Sequence, residues 1–196
     1  MIGLLTALVL LTGCQIHHIK VPQYHSQKDR DGDGIDDQVD ILQSAKAYVA
    51  TRPRYKSKYY ETGYPNDGYG VCTDVVGYAL KHSGYDLQKL VDRDIRAHMN
   101  DYQIVKPDNK IDFRRVVNLN VYFRHTAKSL TLDLDDVEAW QGGDIVVFRK
   151  HIGIVSDKRN RQGIPYVIHH ATPYQWSYEQ NILPGRKDII GHYRIS

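Results

Sequence analysis

Hydrophobic positions along the chain fall into two regimes after an opening apolar run, Ile2 to Leu11. Through the first two thirds they recur three and four residues apart, the spacing of amphipathic helices. Ile41, Leu42, Ala45, Ala47, Tyr48 and Val49 predict a helix that Thr51-Arg52-Pro53 ends. Val75/Val76 and Ala79/Leu80 predict another, entered through a turn rich in glycine (Gly63, Gly68, Gly70), with Cys72 in its first turn and Gly84 closing it. Leu87, Leu90, Val91, Ile95 and Met99 mark the next. Phe113, Val116, Val117, Val121 and Phe123 suggest a further helix, while the alternation of Leu119, Val121 and Phe123 leaves a strand open there. From Trp140 the apolar runs become short and are separated by turn residues: Ile145–Phe148, His151–Val155, Tyr166–His170 and Ile189–Ile195. Short strands with short connections imply an antiparallel sheet, so helices followed by a sheet predict an α+β domain.

Composition narrows the class. The 196 residues, 41% hydrophobic and 25% charged, suit one soluble globular domain with a real core. A net charge of +3 gives no argument for a nucleic-acid partner and fits an anionic surface or polymer. Fifteen tyrosines against three phenylalanines point to amphipathic aromatics lining a surface or cleft. The opening run is too short to span a bilayer and reads as a secretory signal. Its end, Leu11-Thr12-Gly13-Cys14, resembles the lipobox of bacterial lipoproteins. That resemblance implies a signal peptide over 1–13, a lipidated Cys14 as the mature N-terminus and a membrane anchor in the bacterial cell envelope. Residues 14–28, polar and aperiodic, read as a tether whose His17, His18 and His25 are solvated. With Cys14 carrying lipid, Cys72 is the one thiol left, and a solitary cysteine in an exported protein needs a reason.

The segment 29–40 matches a calcium loop. Asp29, Asp31 and Asp33 stand at positions 1, 3 and 5, glycine at 6, the carbonyl of Ile35 at 7 and Asp40 at 12. With six aspartates in twelve residues, it would repel itself without a cation. Asp40 replaces the usual glutamate, so modest affinity and a structural role for calcium are expected; no organic cofactor is.

Cys72 at a helix N-terminus faces unpaired N–H groups that favour a thiolate. A thiol nucleophile needs an imidazole within reach, and that imidazole needs a third group. His151 opens a strand at a turn and is the candidate base. His169 and His170 compete for the third place, because alternation sends them to opposite faces. The hydroxyl of Tyr69 is a candidate oxyanion donor, Asp74 a candidate substrate contact, and Arg114 and Arg115 read as ion-pair partners.

With these residues in view the chain resembles the papain-like cell-wall peptidases of the NlpC type. The matching pieces are Cys72, then Gly143-Asp144-Ile145-Val146-Val147-Phe148 with His151-Ile152-Gly153-Ile154, then Ile168-His169. Residues from about Asp29 to Arg194 resemble more closely the family catalogued as domain of unknown function 1287. Its hallmarks stand here as Asp31–Gln38, Gly68-Tyr69-Gly70-Val71-Cys72-Thr73-Asp74, Ile111–Leu119 and Gly153–Arg159. That family usually has Ile-His-Asn where this chain has Ile168-His169-His170. The NlpC-type resemblance implies a papain-like hydrolase domain over 41–196, monomeric, acting on amide bonds in the stem peptides of peptidoglycan. Two other classes compete with this amidase or endopeptidase: a thiol acyltransferase, and an inactive wall- or calcium-binding module of the same fold. Relatives that act on lipids tend to place histidine before cysteine, the reverse of the order here.

Overall fold

The computed structural model describes residues 20–195. The chain enters along the domain surface: the Tyr24 amide donates to Gln141 Oε1 at 3.0 Å and the Gln23 amide group to the Gly142 carbonyl at 3.3 Å. The C-terminal end of the expected tether is therefore docked, and His25, expected to be solvated, pairs with Asp36 at 2.8 Å. Asp36 in turn caps α1 (Asp37–Ala50) by accepting the Val39 N–H. Ile41, Leu42 and Ala45 on α1 are buried against the rest of the domain.

A two-stranded parallel pair follows, β1 (Arg54–Tyr55) with β2 (Tyr69–Gly70), and leads directly into α2 (Cys72–His82). The apolar doublets Val75/Val76 and Ala79/Leu80 are fully buried, as their spacing predicts. Gly84, at φ +79°, takes the left-handed conformation that lets the chain turn back. Next come α3 (Leu87–Ala97), short 3₁₀ turns at Met99–Asp101 and Asp112–Arg114, and α4 (Val116–Thr126). Residues 116–126 are thus helical, and the strand left open by their alternation does not form.

Six strands make one antiparallel sheet: β3 (Lys128–Ser129), β4 (Ile145–Phe148), β5 (His151–Arg159), β6 (Pro165–Ile168), β7 (Glu179–Gln180) and β8 (Ile189–Arg194), in the order β3-β8-β4-β5-β6-β7. Alternation divides its side chains. Ile145, Val147, Ile152, Ile154 and Ile168 join the helical core, while Val146, Phe148, Val155 and Val167 form a second cluster with Trp140 and Leu183. The four helices and the antiparallel sheet among the described residues make the α+β class expected from the sequence.

One buried carboxylate ties the start of this sheet to its end. Asp144, fully buried, accepts from both arms of Arg194 (2.7 and 2.8 Å), from Gln38 Nε2 at 2.9 Å and from the Gln141 N–H at 2.8 Å, with His192 Nε2 also 2.9 Å away. The Gly-Asp pair before β4 is thereby a structural hub. Trp140 covers it by stacking on His192 with ring centroids 3.8 Å apart.

Candidate active site

Three separated segments meet where β5 begins. Val71 is extended, and its N–H is taken by Asp74 Oδ2 at 2.8 Å, fixing the first turn of α2. The Cys72 sulfur consequently sits near the first N–H groups of the helix, those of Cys72 and Thr73, and near the N–H of Ile152. Ile152 is the neighbour of His151, beyond the stretch where β5 pairs with β6 (Ile154↔Ile168, Val155↔Val167). The sulfur therefore lies one residue from His151 along β5.

His151 follows a two-residue turn, Arg149-Lys150, that closes the β4–β5 hairpin with Phe148 opposite His151. Its Nε2 lies 2.9 Å from His169 Nδ1, and the two rings meet edge-on, 88° apart. Gly153 permits this approach. A Cβ there would stand 2.6 Å from Val167 Cγ1, 2.8 Å from the Ile168 carbonyl oxygen and 3.2 Å from His169 Cβ. The His169 ring is buried, Nε2 makes no hydrogen bond, and the Gln180 side chain on β7 is its polar neighbour. His170, also buried, points elsewhere: its ring meets Tyr55 and Tyr178 edge-on, and its Nδ1 is unpartnered.

Burial decides the resting charge state. It pushes the Cys72 thiol up to about 11 despite the opposing N–H groups of Ile152, Thr73 and Cys72. It also pushes His151 down to about 3, helped by the neighbouring His169 and Arg186, and His169 down to about 4 against the pull of Gln180. The free protein therefore rests as neutral thiol and neutral imidazoles. The thiolate favoured by the helix terminus alone does not outweigh desolvation. No hydrogen bond joins the Cys72 sulfur to His151 among the described residues. With Nε2 committed to His169, Nδ1 is the His151 nitrogen left for a thiol.

Other expected residues lie differently. Asp74 is buried and forked onto Arg114, with Nε to Oδ1 at 2.6 Å and Nη2 to Oδ2 at 2.9 Å. Both its oxygens are spoken for, so it braces the cysteine turn. Arg114 is that brace's cation, while Arg115 stands 3.7 Å from Asp112. Tyr69 offers its ring as a platform: Arg54 and Lys58 sit 4.3 and 4.1 Å above its centroid, with Lys56 at 5.7 Å. Its ring helps line a groove of about 440 Å³ with Tyr48, Tyr78, Pro53 and Pro65, and a second of about 340 Å³ with Tyr55, His170 and Tyr178. Gln180 and Arg186 had no sequence signal; both belong to the stretch between β6 and β8, and only the fold brings them to the histidines.

In the acidic loop, Asp29, Asp31 and Asp33 converge with carboxylate oxygens within 4.8 Å of one another. Asp29 accepts the N–H groups of Gly32, Asp33 and Gly34, which curls the loop around it. Asp40 lies in the first turn of α1, where Oδ1 takes the Ser44 hydroxyl, and its charge acts on Asp31 as those of Asp33 and Asp29 do. The carbonyl of Ile35 lies just ahead of that helix. This all-oxygen donor set suits a hard cation such as calcium, with Asp29, Asp31 and Asp33 the residues fit to hold it. Cys14, the expected lipidation site, lies outside the described residues, as do His17 and His18.

A family model described as "Domain of unknown function (DUF1287)" matches residues 42–195. The Escherichia coli K12 protein described as "Uncharacterized protein YijF" is 34% identical over 167 residues, which span 79% of this chain and 80% of that one. No solved structure matches.

Proposed function

The chain belongs to the DUF1287 family, and from the convergence of Cys72, His151 and His169 we propose that it is an exported cysteine hydrolase of papain-like, NlpC-type fold that cleaves an amide bond in peptidoglycan stem peptides. The observation that carries this reading is the 2.9 Å link between His151 Nε2 and His169 Nδ1, with the Cys72 sulfur close to the N–H of the next residue along the strand, Ile152.

The tautomers follow from the roles. For Nδ1 of His151 to accept the thiol proton, its Nε2 must carry hydrogen and donate it to Nδ1 of His169. The hydrogen of His169 then resides on Nε2, which makes no hydrogen bond and has the Gln180 side chain as its polar neighbour. Substrate binding brings a carbonyl carbon to the sulfur. Cys72 attacks as His151 takes its proton, and the N–H groups of the first turn of α2 receive the oxyanion. The resulting imidazolium protonates the leaving amine, and an acyl-enzyme remains on the sulfur. Water, deprotonated by His151, then releases the acid. His169 orients the ring throughout, and the neutral resting pair makes His151 a general base acting during attack.

Two surfaces support a peptidoglycan substrate. The cations over Tyr69 (Arg54, Lys56, Lys58) would meet stem-peptide carboxylates, and the tyrosine-lined groove would take an apolar or sugar face. Calcium on Asp29, Asp31 and Asp33 would pin the entering chain to the domain, and a lipid on Cys14 would hold it at the membrane. The test is digestion of purified peptidoglycan. Release of muropeptide fragments by the protein and not by its Cys72→Ala variant supports the proposal; no release by either defeats it.

A further inference from the structure

Away from the cysteine, two helix ends meet over one carboxylate. Asp94 lies in the last turn of α3, His98 is the residue capping that helix, and His125 lies in the last turn of α4. Their oxygen and ring-nitrogen atoms stand within 4.8 Å of one another. His98 Nδ1 is 3.0 Å from Asp94 Oδ1, and His125 Nδ1 is 2.7 Å from Asp94 Oδ2. We propose that this is a binding site for a divalent transition metal of the zinc class, ligated by the Asp94 carboxylate and by Nδ1 of His98 and of His125.

Donor chemistry selects the metal. Two imidazoles and a carboxylate suit zinc, nickel or copper, whereas calcium takes oxygens, as in the acidic loop. Spacing is close to what is needed. Bonds of about 2.0–2.1 Å in a tetrahedron separate ligand atoms by about 3.3 Å, so small side-chain rotations open the trio enough to admit an ion. An outer shell is already present. The far nitrogen of His125, Nε2, faces Asp101 Oδ2 at 3.4 Å, and the Asp94 Oδ2 that faces His125 also takes the Tyr102 hydroxyl. A metal-binding histidine commonly donates its other N–H to such a carboxylate, which fixes ring and tautomer.

Both helices also point their carbonyl ends at the site, the negative pole that favours a cation. Asp94 is buried while the His98 side chain is half exposed, so there is an inner anchor and an open side for entry and for a water as fourth ligand. The consequence is mechanical: the ion would clamp the end of α3 to the end of α4.

The experiment uses the full chain carrying Cys14→Ser and Cys72→Ala, which removes both thiols as rival zinc ligands, and titrates it with zinc chloride by calorimetry and with cobalt(II) by visible absorption. The expected result is one equivalent bound with micromolar or tighter affinity, intense tetrahedral cobalt bands, and a thermal midpoint raised by zinc. His98→Ala and His125→Ala should each weaken zinc at least 100-fold and abolish the bands, and Asp101→Asn should weaken it about tenfold. His98, half exposed, is the variant to rely on should His125→Ala unfold. Zinc affinity unchanged in His98→Ala, or binding only at millimolar metal, overturns the site.

Discussion

Removing the guanidinium of Arg114 tests how the cysteine turn is held. The Asp74 and Arg114 side chains are 0% and 2% exposed, and Asp74 also accepts the N–H of the residue before Cys72. Arg114 contributes a third bond, from Nη1 to the Lys58 carbonyl at 2.7 Å. Arg114→Met keeps much of the stem volume and leaves the Asp74 carboxylate buried with one N–H as its partner. Breaking one side of a buried pair costs about 3–5 kcal/mol, a fifth or more of the roughly 5–15 kcal/mol that a domain commands. Urea unfolding followed by circular dichroism should show that loss as a lower midpoint. Asp74→Asn/Arg114→Met removes both charges, so it should recover at least about 1.5 kcal/mol relative to the sum of the single losses. Activity should fall further than stability explains, because displacing the sulfur by about 1 Å costs on the order of 10²-fold in rate. Single-variant losses below about 1 kcal/mol, or strictly additive ones, would refute the view of this pair as the brace of the nucleophile.

Three other outcomes follow from the same geometry. His169→Ala should slow turnover by on the order of 10²-fold or more while His170→Ala stays within about tenfold, measured on released wall fragments; the reverse order would move the third role to His170. His151 and His169 titrate near 3 and 4 when folded and near 6.5 when unfolded, so between about pH 6.5 and 4 the unfolded chain binds more protons and stability falls as pH falls. The slope should approach about 1.4 kcal/mol per pH unit per histidine and be reduced in His169→Asn; a stability flat over that window contradicts neutral buried rings. Calcium should raise the thermal midpoint and chelation lower it, with the effect lost in Asp31→Asn; equal midpoints with and without chelator would deny the loop a structural cation.

Much of this was legible in the sequence because periodicity reports burial directly. The doublets of α2 and the runs of β4, β5, β6 and β8 lie where their spacing puts them. The histidine pair was legible as candidates, since one opens a strand and the other ends the next. Choosing between His169 and His170 needed coordinates, because the two faces of a strand end are equivalent on paper until Gly153 shows which one its neighbour can approach. Two-residue strands such as β3 and β7 escape any window, so Gln180 was invisible. The brace that Asp74 makes was not legible, because its partner Arg114 is forty positions away. The charge state misled for a related reason: local sequence displays the helix terminus that favours a thiolate but not the desolvation that opposes it. Asp94, His98 and His125 carry no spacing signal across the loop that separates α3 from α4.

The central claim is that Cys72 performs acyl transfer with His151 as its base. Incubating purified peptidoglycan with the protein, with Cys72→Ala and with His151→Ala, then weighing soluble fragments by mass spectrometry, tests it most directly. The account expects fragments differing by cleavage of one stem-peptide amide, with a covalent acyl adduct on the parent protein alone, and neither product in the two variants, all three folded by circular dichroism. Fragments appearing undiminished with Cys72→Ala, or none with any of the three, would contradict it.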